Sequence, residues 1–208
     1  MKKLWWFLIV VVLAVSACQQ AAKADEAVQP VDYQVSELRG AIFDPPRQLA
    51  DFSLPSTTGD DFRLSDQRGK VVLMYFGYMA CPDICPTSNT ELKKVYEELG
   101  PLAEQVKVVF VTIDPERDDL ARMKLYLGLF HPDFIGLRGE NEVNQPIMDA
   151  FGVRAERQEL SNSAMGYLLN HTASIFLVAP DGRLLEQFLY GTPYTNIAHD
   201  VRVILSGD

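Results

Sequence analysis

Val71-Val72-Leu73-Met74-Tyr75-Phe76-Gly77-Tyr78-Met79-Ala80-Cys81-Pro82-Asp83-Ile84-Cys85-Pro86 runs a continuous apolar stretch straight into two cysteines and two prolines. An apolar run without polar alternation marks a strand buried on both faces. Beyond it, Leu92, Val95, Tyr96 and Leu99 recur at helical spacing until Gly100-Pro101 stops the helix. A buried strand thus brings paired sulfurs to the mouth of a helix, which serves either soft-metal binding or disulfide chemistry.

Outward from this unit, strand and helix signals alternate. Val106 to Ile113 reads as a second buried strand. Pro115-Glu116-Arg117-Asp118-Asp119 opens a helix carrying Leu120, Met123, Leu127 and Phe130, which His131-Pro132 ends. A short strand at Phe134 to Leu137 and a helix from Glu140 to Phe151 follow, the helix with Val143, Ile147 and Phe151 on one face. Thr172 to Val178 and Leu184 to Tyr190 read as strands joined by the turn Pro180-Asp181-Gly182, and Thr195 to Leu205 as a closing helix. Upstream, Asp51-Phe52-Ser53-Leu54 and Asp61-Phe62-Arg63-Leu64 flank Thr58-Gly59-Asp60 and predict a short N-terminal hairpin extension. The expected fold is α/β and thioredoxin-like: a mixed central sheet with helices on both faces.

The N-terminus reads as an export signal, with Lys2 and Lys3 before the apolar core Leu4 to Val15 and a small-residue cleavage stretch Val15-Ser16-Ala17. Cys18 follows, and Val-Ser-Ala-Cys resembles the lipobox of bacterial lipoproteins, whose cysteine is lipidated and becomes residue one. An uncleaved membrane anchor is the alternative, although the apolar core is shorter than the ~20 residues of a spanning helix. The expected organisation is a signal peptide at 1–17, a flexible tether at 18–34 rich in Gln, Ala, Glu and Asp, and one domain at 35–208, exported and lipid-anchored at the outer face of a bacterial membrane. Without Lys2 and Lys3 the chain keeps 17 basic against 28 acidic residues, a formal net charge of −11. That balance argues against nucleic acid as a partner, because phosphates need Lys and Arg to neutralise them.

The dithiol is constrained by its prolines. Pro86 disfavours helical geometry at Cys85 and suits a first helical position, which puts Cys85 at or just before a helix N-terminus; Ser88-x-x-Glu91 offers a competing capping box. Either placement leaves the sulfurs near the positive end of the helix dipole, where a thiolate is favoured. A structural disulfide is the plain alternative for two exported cysteines this close. Thioredoxin-like reductases carry two residues between their cysteines and this chain carries three. Residues four apart on a regular helix hold their Cβ atoms ~6 Å apart, beyond the ~3.8 Å of a disulfide, so bridging requires a non-helical loop. The extra residue lets the sulfurs spread around a soft ion such as Cu(I).

Three histidines could supply a further ligand. His131 sits in a helix-ending His-Pro, and His199 beside Asp200 reads as part of a solvated helix face. His171 stands at the start of the strand Ala173 to Val178. By itself it reads more readily as an ordinary hydrogen-bonding residue than as a ligand.

Gly77-Tyr78-x-x-Cys81-Pro82-Asp83-Ile84-Cys85-Pro86, Asp114-Pro115-Glu116-Arg117-Asp118, and His171-Thr172 before an apolar strand ending in Pro180-Asp181-Gly182 together resemble the Sco/SenC family of copper-binding proteins over about residues 40 to 205. The resemblance implies Cys81, Cys85 and His171 as copper ligands, Cu(I) first and Cu(II) as a second state. It also implies a metallochaperone role in assembling the binuclear copper A centre of cytochrome c oxidase. The expected partners are that oxidase's copper-receiving subunit, other periplasmic copper carriers or thiol reductants, and the membrane through the lipid anchor. Met79 and Ala80 depart from the family's frequent polar residues, and Asn170 stands where an Asp often precedes the histidine. Asp114 and Asp118, at a strand-to-helix junction, read as helix caps before metal contacts. Two other classes compete. A membrane-tethered thiol-disulfide reductase would use Cys81 and Cys85 as a redox pair without His171. A peroxiredoxin-like peroxidase would need a Thr three residues before Cys81, where Tyr78 stands.

Overall fold

The computed structural model describes residues 33, 35–161 and 163–206; the expected signal peptide, Cys18 and nearly all of the tether lie outside the described residues. In chain order the strands and α-helices are β1 (Ala41–Gln48), β2 (Ser53–Pro55), β3 (Asp61–Arg63), β4 (Val71–Gly77), α1 (Ile84–Leu99), β5 (Val106–Thr112), α2 (Leu120–Gly128), β6 (Ile135–Leu137), α3 (Asn141–Phe151), β7 (Ala155–Glu159), β8 (Tyr167–His171), β9 (Ser174–Val178), β10 (Arg183–Leu189) and α4 (Tyr194–Ser206). No helix among the described residues is long and apolar enough to cross a membrane.

Six strands form the central sheet in the order β1-β10-β9-β4-β5-β6. β5 runs parallel to both β4 and β6, whereas β9 is antiparallel to β4 and β10, and β1 antiparallel to β10. β4 sits in the middle, and every one of its residues is buried. Strand alternation sends successive side chains to opposite faces. Tyr75 therefore meets Cys85 of α1, while Phe76 packs on Phe151 of α3 at 5.2 Å between ring centroids. Helices thus cover both faces, as the thioredoxin-like reading requires.

The predicted β2–β3 hairpin is present as a separate two-stranded sheet. α1 buries Cys85, Ser88, Leu92, Val95, Tyr96 and Leu99 along one stripe and ends at Gly100, whose positive φ of 55° suits glycine. Several expectations are corrected. α2 begins at Leu120 behind Asp119, whose carboxylate accepts from Arg122 N, because Asp114 to Asp118 form a tied-down turn; Phe130 lies past the helix end. Ser88 is buried within α1 and opens no capping box, and Asp83 is the N-cap. In α3, Val143 is 51% exposed, while Asn144 turns inward to donate to the carbonyls of Thr112 and Gly139. Tyr33 is buried. Two elements went unforeseen, the edge strand β1 and the hairpin β7–β8.

β1 is fastened near its start by two buried carboxyl groups. Gly40 N donates to Glu186 Oε1 at 2.7 Å and to Asp200 Oδ2 at 3.2 Å, and Arg39 N donates to Asp200 Oδ2 at 2.8 Å. Burial, and then the adjoining Asp200 carboxyl, push Glu186 up to about 9. The folded form therefore binds this proton more tightly than the unfolded chain does. The group's penalty is absent below the ordinary glutamate pKa and accumulates as pH rises toward 9. Glu186→Gln keeps an acceptor for Gly40 and is expected to raise the melting temperature by about 5 °C at pH 8, with little change near pH 4. Thermal unfolding of both proteins across that range checks it, and parallel curves would refute the assignment.

Candidate metal centre

Parallel pairing of β4 and β5 sets Gly77 opposite Thr112, so the loops leaving both strands emerge at the same end of the sheet. The dithiol loop follows β4, and Asp114 to Asp118 follows β5. β9 runs antiparallel to β4 with Ile175 opposite Tyr75, so whatever precedes β9 arrives at that same end. His171 does precede it, as the last residue of β8.

The donor atoms of Cys81, Cys85 and His171 all lie within 4.8 Å of one another. Cys85 Sγ is 3.5 Å from His171 Nε2. His171 Nδ1 stands 3.0 Å from Thr172 O, which can only accept, so the proton sits on Nδ1 and the Nε2 lone pair faces the sulfurs. Rings enclose the imidazole edge-on, Tyr75 at 6.2 Å and Tyr78 at 5.9 Å between centroids. Cys85 is fully buried and Cys81 is 8% exposed, and the thiols are unbridged. Cys81 precedes α1 and Cys85 lies in its first turn, so the helical Cβ spacing does not hold the sulfurs apart.

Hydrogen bonding from Cys85 foremost, together with the backbone N–H groups of Asp83 and Cys85, holds the Cys81 thiol well below the ordinary range. Donation to Cys81, and then burial, push Cys85 up. The phenol of Tyr75 also donates to Cys85 Sγ at 3.5 Å. Gly77 leaves room for this arrangement. A Cβ there would lie 2.7 Å from the Tyr75 ring and 3.0 Å from both Cys85 Sγ and the Phe110 ring.

Asp114 and Asp118 cap no helix. Asp118 Oδ2 accepts from Met79 N at 3.1 Å and from Thr112 Oγ1 at 2.6 Å, which anchors the start of the dithiol loop; its burial raises its pKa. Asp114 accepts from the Tyr167 phenol and from Arg117 Nε, both at 2.6 Å. His131 and His199 lie elsewhere, the first against Tyr96 and Phe134, the second half-buried with Nδ1 2.8 Å from Asp200 Oδ1. The sequence assigns no role at the centre to Tyr75, Tyr78, Arg117 or Tyr167. Only the Tyr-Phe-Gly-Tyr run beside the dithiol hinted at the first two.

Two sulfurs and one imidazole nitrogen, converging beyond the ends of the central strands, fit a soft ion at bond lengths of ~2.0–2.3 Å. A thioredoxin-like domain with such a donor set defines a class of soft-metal-binding or dithiol proteins. The sequence profile of the family described as SCO1/SenC matches residues 43–206, and the chain belongs to that family. It is 36% identical over 138 residues to an SCO2-like protein of Rickettsia felis, covering 66% of this chain and 67% of the relative. The solution structure of apo Sco1 from Thermus thermophilus is similar at TM-score 0.70 and 36% identity, covering 79% of this chain and 95% of that one. The structure of Bradyrhizobium japonicum ScoI with copper bound is similar at TM-score 0.68 and 33% identity, covering 74% and 98%.

Proposed function

We propose that this protein is a copper-binding assembly factor that helps metallate the copper A centre of cytochrome c oxidase, taking copper as cargo through Cys81, Cys85 and His171. The convergence of those three donor atoms within 4.8 Å carries the reading. The thiols supply soft thiolate ligands and the imidazole supplies a neutral nitrogen, a set that selects Cu(I). Tyr75, Tyr78 and the backbone N–H groups hold the donors in place, and Cys81, the less buried sulfur, is where an incoming ligand from the oxidase subunit or from another copper carrier would first exchange. Reduced, metal-free protein is expected to take up one Cu(I) per chain, and Cys81→Ser to abolish that uptake. Full uptake by Cys81→Ser would overturn the reading.

The unbridged thiols at a helix N-terminus favour a second reading, reduction of a partner's disulfide. The Cys81 thiolate would attack one partner sulfur and release the other as a thiolate. Cys85, once deprotonated, would then displace the mixed disulfide, leaving two partner thiols and an oxidised pair here. Both readings place the domain outside the cytoplasm, tethered through lipid on Cys18. Fatty-acid label is expected on the wild type and absent from Cys18→Ser, and label persisting on Cys18→Ser would remove the anchor from the proposal.

A further inference from the structure

The imidazole reaches the dithiol on a hairpin that the central sheet does not hold. β7 pairs only with β8, and all five of its residues are exposed. The contacts that fix this hairpin converge on the loop after β5. Arg117 Nη1 donates to the carbonyls of Met165 and Tyr167, at 3.0 and 3.1 Å, while its Nε donates to Asp114. Its guanidinium lies 3.6 Å from the Tyr167 ring centroid, and Arg157 of β7 lies at the same distance from that ring. Two guanidinium groups so close to one ring must occupy opposite faces. The Tyr167 phenol donates to Asp114 Oδ1 at 2.6 Å, and Arg157 pairs with Glu116 at 3.1 Å.

The same loop grips the other side of the centre, through Asp118 and the backbone of Met79. It is itself fixed: Arg138 donates to the carbonyls of Pro115 and Asp118, and Arg122 donates to that of Arg117. Tyr78 adds a direct tie, its phenol accepting from Leu169 N at 3.2 Å.

We propose that the Asp114–Asp118 loop is a brace that sets the spacing between the dithiol and His171, and that Arg117 is its positioning residue. The inference rests on the copper reading for its functional consequence, although the brace itself can be observed without metal. Arginine suits the position because its planar fork serves a carboxylate, two carbonyls and an aromatic face together, which a lysine ammonium cannot do. A hairpin released from the loop keeps its own β7–β8 ladder but no longer holds Nε2 over the sulfurs. Loss of an outer partner of this kind typically lowers metal affinity by about 10–100-fold.

The test compares the full chain with Arg117→Met, Arg117→Lys and Arg154→Met, the last removing an arginine whose side chain is 77% exposed at the hairpin base. Two quantities are read: amide hydrogen exchange of Leu169 in metal-free protein, and Cu(I) affinity by chelator competition. Arg117→Met is expected to speed Leu169 exchange by about tenfold or more and to weaken Cu(I) by about 10–100-fold, with the slow amides of β4 unchanged. Arg117→Lys should fall between, and Arg154→Met should match wild type. Should Arg117→Met fail to fold, Arg117→Lys carries the same two readouts. A wild-type hairpin with weakened copper, or a loosened hairpin with wild-type affinity, overturns the brace, and so does no change in either. Wild-type protein that takes no Cu(I) would sink the copper reading alone, with the exchange arm still deciding whether Arg117 holds the hairpin.

Discussion

Oxidation of Cys81 and Cys85 to a disulfide is expected to abolish Cu(I) binding. Thiolates are the ligands, and a disulfide offers none. The bridge is accessible from this structure because Cys81 lies ahead of α1, where the backbone can turn its sulfur toward Cys85, and the two sulfurs already lie within 4.8 Å. Cys81 is held toward its thiolate, the form that attacks, so an oxidant should close the pair readily once copper is absent. Bound copper should in turn protect the thiols. Free-thiol counts before and after reduction, set beside copper retained on a desalting column, decide the point. Undiminished Cu(I) on protein without free Cys81 and Cys85 thiols would show that copper is held elsewhere.

The parts of this molecule legible in the sequence are those whose burial is local. Val71 to Phe76 declares a central strand because both of its faces are covered. α1 declares itself through its apolar stripe, and the β9–β10 hairpin through Pro180-Asp181-Gly182. β1 was hidden because Pro45 and Pro46 lie within it, tolerable only where an edge strand needs few ladder N–H groups. β7 was hidden because Ala155-Glu156-Arg157-Gln158-Glu159 has solvent on both faces and so shows no alternation. The candidate ligands were legible as residue types, but the role of Asp114-Pro115-Glu116-Arg117-Asp118 was not. It acts through Tyr167 and Met165, about fifty positions along the chain, and through Met79, nearly forty positions back. Carboxylates at a strand-to-helix junction read as caps until the hairpin and the dithiol loop are seen to converge on them.

Replacing His171 by alanine separates the metal role from the redox role. The imidazole contributes Nε2 alone to the centre, its Nδ1 proton being committed to Thr172 O. Removing it leaves both sulfurs, the Tyr75 hydrogen bond to Cys85 and the helix N-terminus as they were. His171→Ala should therefore still form the Cys81–Cys85 disulfide and still reduce a test disulfide if the wild type does. Its Cu(I) affinity should fall by more than the ~10–100-fold that an outer partner commands, because a bonded ligand is lost rather than merely misplaced. X-ray absorption should count two sulfurs and one nitrogen on wild-type copper and should lose the nitrogen in the variant, while chelator competition reports the affinity. An unchanged ligand set with undiminished affinity would remove His171 from the centre. The dithiol would then stand alone, and reduction of a partner's disulfide would become the better account of this domain.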